Sequence, residues 1–209
     1  MTDLGFDPTL PRCWWSGATS ERADPTMVRY HDEEWGTPCH DDAQLFERLT
    51  LEAFQAGLSW STILHKRDAF DLAFRGFDPA VVARFDDDDR SRLMADAGIV
   101  RNRAKIDATI VNAGAWLATG REYGSVDAYL ATMVPGPPAR LGEDTGPGEI
   151  PDRTAVSDAL SADLRRRGFK FVGSTSVYAF MQSVGLVDDH LPGCFRYGSA
   201  TSESGAQRS

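Results

Sequence analysis

The chain has 209 residues, 42% of them hydrophobic, which suits one globular domain able to bury a sizeable core. No run approaches the roughly 18 consecutive apolar residues of a membrane span, and Met1 to Leu10 lacks the parts of a signal peptide, so a cytoplasmic protein with no membrane partner is expected. A net charge of -9, from 31 acidic against 22 basic residues, argues against a nucleic-acid partner unless positive charge is concentrated locally.

The first ten residues and the tail from Gly198 to Ser209 are polar and aperiodic, and both are expected to be flexible. Residues 11–197 then form a single domain, expected to be all-helical. The first clear helix is capped by Asp41 or Asp42 and runs through Ala43 to about Gln55, with Leu45, Phe46, Leu49, Ala53 and Ala56 on one side. Further helices are expected over Ile63 to Phe70, after Pro79, and over Arg90 to Asp96, Arg101 to Ala118 and Val126 to Thr132. The stretch from Val134 to Pro151 is rich in Pro and Gly and reads as a surface excursion. Ala155 to Arg167 is an amphipathic helix ended by Gly168, and Thr175 to Val184 is the last.

Three cysteines in a chain without an export signal fit metal binding or free thiols better than disulfides. Cys13 and His31 lie near one end, and His190 and Cys194 near the other. Four such side chains satisfy a closed tetrahedral zinc site, and Pro192-Gly193 makes the spacer between the last two a turn. Spacing alone equally allows unrelated buried thiols and surface imidazoles, and Cys39 with His40 is a competing ligand pair.

Projected on a helix, Glu52 falls at the edge of the apolar face, where its carboxylate is partly desolvated. It reads either as a salt-bridged structural residue or, among aromatics such as Tyr30, Trp35 and Trp60, as part of a pocket for a flat cation. Between the helices ending near Asp96 and starting near Arg101, Gly98 turns the chain and Arg101, Arg103 and Lys105 follow. This is a phosphate-holding arrangement or a solvated basic face.

Taken in order, these features resemble the 3-methyladenine DNA glycosylase I family. The resemblance is carried by Cys13 to Trp15, Tyr30-His31-Asp32-Glu33-Glu34-Trp35-Gly36, Leu51-Glu52, Gln55-Ala56-Gly57-Leu58-Ser59-Trp60 and Ala97-Gly98-Ile99. It continues through Arg167 to Gly173, Gly185 to His190, and Cys194, and so spans nearly the whole chain. It implies an all-α helix-hairpin-helix glycosylase fold, and structural zinc on Cys13, His31, His190 and Cys194. Glu52 becomes the catalytic carboxylate, with base contacts from Tyr30, Trp60, Trp35 and Met27.

The basic turn makes Gly98, Arg101 and Arg103 the expected DNA contacts, and Gly57 and Leu58, on the turn just after Glu52, are placed to plug the gap left by a flipped nucleotide. The expected partners are alkylated double-stranded DNA and the 3-methyladenine base, for a protein acting as a monomer without lyase activity. Met27 stands where the family commonly has Tyr, which alters one aromatic wall. A zinc-stabilised protein that binds damage without cleaving, and a zinc hydrolase, are the competing functional classes.

Overall fold

The computed structural model describes residues 5–18 and 23–201. The expectation of flexible ends falls outside the described residues for 1–4 and 202–209. Ser199–Thr201 form a 3-10 turn with Ala200 buried, so packing continues past the boundary expected at Tyr197.

The described residues pack as two compact units. The first takes the chain up to Cys39, then Gly136–Asp152, then the residues from Met181; the second takes His40–Pro135 and Arg153–Phe180. The first unit opens with α1, Pro25–Arg29, capped by the Asp24 carboxylate, which accepts from the backbone N–H of Thr26 and Met27. The helix runs straight into one π-helical turn, Tyr30–Glu34, closed by the bond from Trp35 N–H to Tyr30 O. The helical pattern described above omitted this element, although Asp24-Pro25 is a helix-start signal.

In the second unit, α2, Asp42–Gln55, starts at Asp41, whose side chain accepts from Ala43 and Gln44 N–H. Short helices follow: α3, Trp60–Leu64, α4, Arg67–Ala73, and α5, Pro79–Val82. The single helix expected over Ile63 to Phe70 is thus divided at His65-Lys66, because Ser59 caps a new helix at Trp60 and that helix closes within two turns. After α6, Asp87–Ala95, comes α7, Arg103–Tyr123, which passes through Gly114 and Gly120 and outruns the end expected at Ala118. Both glycines face open space, so neither forces a break. α8, Val126–Met133, and α9, Ala155–Arg166, follow, and α10, Ser174–Ser183, carries the chain back to the first unit.

The core of the second unit is aromatic. Phe46 meets Trp116 at 5.3 Å between ring centroids, Phe54 meets Phe70 at 4.8 Å, and Phe74 stacks on Phe77 at 5.6 Å. Such pairs add about 0.5–1.5 kcal/mol each beyond area burial. In the first unit the Pro/Gly-rich stretch is more than the surface excursion the sequence suggests. Its β1, Ala139–Arg140, pairs in parallel with β2, Val187–Asp188, and Leu141 O accepts from Tyr197 OH. Two-residue strands carry no alternation, so periodicity has nothing to detect.

Candidate metal centre and buried carboxylate

Cys13, His31, His190 and Cys194 converge in the first unit, all buried, with their ligand atoms within 4.8 Å of one another. Cys194 Sγ lies 3.4 Å from His31 Nε2 and 3.7 Å from His190 Nδ1, and Cys13 Sγ lies 3.7 Å from His190 Nδ1. Tetrahedral ligands at metal bond lengths of ~2.0–2.3 Å stand about 3.3–3.8 Å apart, so the donor set has the dimensions of a metal site. Cys39 and His40 are outside it, and exposed His40 pairs with Asp127 at 3.0 Å.

The neighbours of the cluster fix each ligand's orientation. His31 Nδ1–H donates to Asp32 at 2.8 Å, and Asp32 is held in turn by Arg12, whose Nη2 donates at 2.7 Å. His190 Nε2–H donates to Trp35 O at 3.1 Å. Each imidazole therefore presents its other nitrogen to the thiols. Backbone N–H groups of Leu191 and Arg196 donate to Cys13 and Cys194 sulfur, each at 3.4 Å. The Cys13 thiol, both imidazoles and the Arg196 N–H together hold Cys194 toward the thiolate against the cost of its burial. Gly36 has φ +74, and a Cβ there would stand 3.0 Å from His190 Nε2, so the turn after Trp35 admits only glycine.

This packing uses aromatics whose role the sequence left open. Trp35 is buried, meets His190 edge-on at 4.7 Å and Trp15 at 4.8 Å, and so walls the cluster. Tyr30 is buried, 6.4 Å from Trp15, while Met27 is half-buried on α1. The sequence reading missed the Arg12–Asp32 support; its only trace was an acidic residue directly after His31.

In the second unit, Glu52 is not at the edge of an apolar face. Residues Leu45, Phe46 and Arg48 to Phe54 of α2 are buried, so this part of the helix has little solvent side and the projected edge disappears. Glu52 is 5% exposed, and its Oε2 is buried without a hydrogen-bond partner. Burial alone pushes its carboxyl from 4.5 up to about 8, leaving it mainly protonated at neutral pH. The salt-bridged structural reading is excluded, because no ion pair contributes to that shift.

Just beyond, Gly57 with φ +85 and Leu58 form an exposed turn, with Leu58 42% exposed. Trp60 opens α3 and is half-buried. At the turn between α6 and α7, Gly98 N–H is taken by the Asp96 carboxylate at 2.7 Å, so it is not a free anion donor. Gly98 serves close approach instead: a Cβ would stand 3.0 Å from Ala69 Cβ on α4. Arg101 is exposed, and Arg103 is exposed but paired with Asp107 at 3.0 Å. Lys105 departs from the expected basic face: it is buried, with Nζ donating to Phe54 O at 2.8 Å and Ala56 O at 2.7 Å.

The family model described as methyladenine glycosylase matches residues 19–197. The chain belongs to that family. It is 45% identical over 188 residues to DNA-3-methyladenine glycosylase 1 of Escherichia coli (strain K12), covering 90% of this chain and 97% of the relative. It is 43% identical over 183 residues to a DNA-3-methyladenine glycosylase of Haemophilus influenzae, covering 88% and 96%. Among solved structures, a 3-methyladenine DNA glycosylase I superposes with TM-score 0.82 at 45% identity, covering 89% of this chain and 99% of that one. A variant glycosylase I in complex with 3-methyladenine superposes with TM-score 0.80 at 37% identity, covering 84% and 94%. The all-helical architecture of this family member is the expected one.

The buried carboxyl yields a pH prediction. Its folded pKa lies above its ordinary value, so between about 4.5 and about 8 the folded state retains a proton that the unfolded state has released, and stability falls as pH rises. Glu52→Gln removes this loss. Chemical unfolding at pH 5 and pH 8 is expected to show the Gln variant gaining on wild type at the higher pH; a difference independent of pH is the contrary result.

Proposed function

We propose that this glycosylase excises 3-methyladenine from alkylated duplex DNA by hydrolysing the N-glycosidic bond, and the observation that carries the reading is the buried, unpartnered Glu52 carboxyl. Methylation at N3 makes the base cationic, and it departs neutral, taking the electrons of the bond to C1′ while water bonds to that carbon through its oxygen and releases one proton to solvent. Leaving-group activation is therefore minor, and the greater demand is recognition. A cation placed beside Glu52 favours the carboxylate form, whereas neutral adenine leaves the carboxyl protonated or the buried charge unbalanced. Selectivity then follows from charge. Trp60, Tyr30, Trp35 and Met27 are assigned to base contact by the family resemblance, the aromatics through cation-π attraction of about 0.5–2 kcal/mol each.

The Gly57-Leu58 turn is proposed to fill the space vacated by the flipped nucleotide. The α6–turn–α7 segment is proposed as the helix-hairpin-helix element that holds phosphate. Its charge resides in Arg101 and Arg103, since Lys105 faces inward. The reading is of a cytoplasmic monomer without lyase activity. An abasic-site assay on duplex carrying 3-methyladenine tests excision directly: cleavable abasic sites are expected, and tight binding without them would favour a damage-binding protein instead. In single-turnover reactions, Glu52→Gln is expected to lower excision by about tenfold or more, since an unmatched hydrogen bond costs about 1–3 kcal/mol. A wild-type rate in the folded variant would remove Glu52 from base recognition.

Binding to undamaged duplex as a function of salt tests the phosphate assignment. Arg101→Ala is expected to reduce the logarithmic salt slope by about 0.9, and Arg103→Ala by less because Asp107 already neutralises it. Equal slopes for wild type and both variants would move the DNA face elsewhere.

We also propose that the Cys/His cluster holds zinc in a structural role. Four buried protein donors complete a tetrahedron and leave no open position for a hydrolytic water, which disfavours a zinc hydrolase. Metal analysis is expected to give one zinc per chain, and Cys194→Ser to lower thermal stability before it affects excision by the folded fraction. Metal-free protein of unchanged stability is the opposing outcome.

A further inference from the structure

Two of the three lysines in the chain are turned onto backbone carbonyls at the two turns assigned to DNA. Lys66 Nζ donates to Ala97 O at 3.2 Å and Gly98 O at 3.0 Å, tying the turn between α6 and α7 to the start of α4. Lys105 Nζ donates to Phe54 O and Ala56 O, at the C-terminus of α2. A buried ammonium is well placed there, because the last carbonyls of a helix carry its negative pole.

The same ammonium is badly placed on its own helix. Lys105 is the third residue of α7, near the positive pole, and its side chain is 7% exposed. Its N–H is meanwhile used by the Asn102 cap at 3.2 Å. Neither burial nor its own helix favours a charge at this position, whereas the two carbonyls of α2 do. Those carbonyls flank the point where α2 gives way to the Gly57-Leu58 turn, which the bond from Leu58 N–H to Gln55 O closes at 2.6 Å. An ammonium fits between them, being a compact charge that can meet two carbonyls which a planar guanidinium would not match.

We propose that Lys105 is a positioning residue for duplex engagement: it fastens the end of α2 to the first turn of α7, so that the Leu58 turn and the phosphate-holding turn act as one rigid reader of DNA. This rests on the glycosylase reading above. It assigns Lys105 no contact with base or phosphate. The chain of contacts is short, running from the 96–103 turn through the first turn of α7 and Nζ to Ala56 O, one residue before Gly57.

The test compares wild type, Lys105→Met, which keeps much of the stem without the charge, and Lys105→Arg. The readouts are fluorescence of 2-aminopurine beside an abasic-site analogue in duplex, which reports unstacking without requiring excision, single-turnover excision of 3-methyladenine, and binding of free 3-methyladenine. Lys105→Met is expected to lose most of the unstacking signal and about tenfold in duplex excision, with free-base binding within about twofold of wild type and partial recovery in Lys105→Arg. Parallel loss of free-base binding, or full unstacking by folded Lys105→Met, would overturn the proposal.

Should Lys105→Met not fold, the cycle of Leu58→Ala with Lys105→Arg decides. If Lys105 acts through the turn, the double variant unstacks no worse than Leu58→Ala alone, and additive losses refute it. Wild type that unstacks the abasic analogue but leaves 3-methyladenine in place would count against the excision reading and not against this linkage.

Discussion

A carboxyl group without a partner, in the last turn of a helix that is buried there on nearly every side, is the constraint on which the second unit depends. Burying such a group costs on the order of 1–3 kcal/mol by mutational measures. Apolar packing holds the helix in place: Leu45, Phe46, Leu49, Leu51 and Phe54 of α2 are all buried, and Phe54 lies against Phe70 and Phe74. The ends of the helix are held by charge, with Asp41 on the first N–H groups and Lys105 on the last carbonyls. A well-anchored helix tolerates an unsatisfied carboxyl, and protonation reduces the cost.

Several guanidinium groups are engaged in ion pairs with the chain's own carboxylates, so the positive charge open to a partner is not the count of basic residues. Arg12 pairs with Asp32, Arg67 with Glu47, Arg90 with Asp107, and Arg167 with both Asp163 and Glu122. The forked guanidinium suits these carboxylates, while the compact ammonium of Lys66 and Lys105 goes to main-chain oxygens. Counting basic residues therefore misjudges the field at the turn before α7. What matters there is that Arg101 reaches solvent and that Asp107 competes for Arg103.

Much of this was legible in the sequence where local rules act alone. The Asp41 cap, the turn at Pro192-Gly193 and the helical identity of most segments follow from side-chain chemistry over a few residues, and Cys194 N–H does bond back to Leu191 O as a turn requires. The failures share a cause in tertiary context. Edge and face are defined relative to solvent, and α2 has too little solvent contact for projection to place Glu52. Lys105 looked like part of a basic face because sequence spacing cannot reveal the carbonyls of Phe54 and Ala56, some fifty positions earlier, waiting for a donor. Cys39-His40 competed as ligands for the same reason: adjacency in sequence says nothing of convergence, and only the fold separates buried Cys13 and His31 from exposed His40.

The first unit meets a different difficulty, since it is assembled from three separated stretches of chain with only short regular elements between them. Around the cluster its apolar packing is modest: Cys13, Leu191 and Cys194, with Trp15, Leu141 and Ile150 packed against them. Bringing positions 13 and 194 together closes a very long loop, and the entropy cost of closure rises only logarithmically with length, so one strong cross-link there is an efficient restraint. Two sulfurs and two imidazole nitrogens at metal-site spacing could hold an ion that supplies such a cross-link, and the bonds to Asp32 and Trp35 O already orient the imidazoles. The aromatic rings of Trp15 and Trp35 then cover the cluster. The short spacing of Tyr30, His31 and Trp35 has a physical reason in this packing: a single π-helical turn bears His31 of the cluster, Tyr30 beside it, and Trp35 at its close.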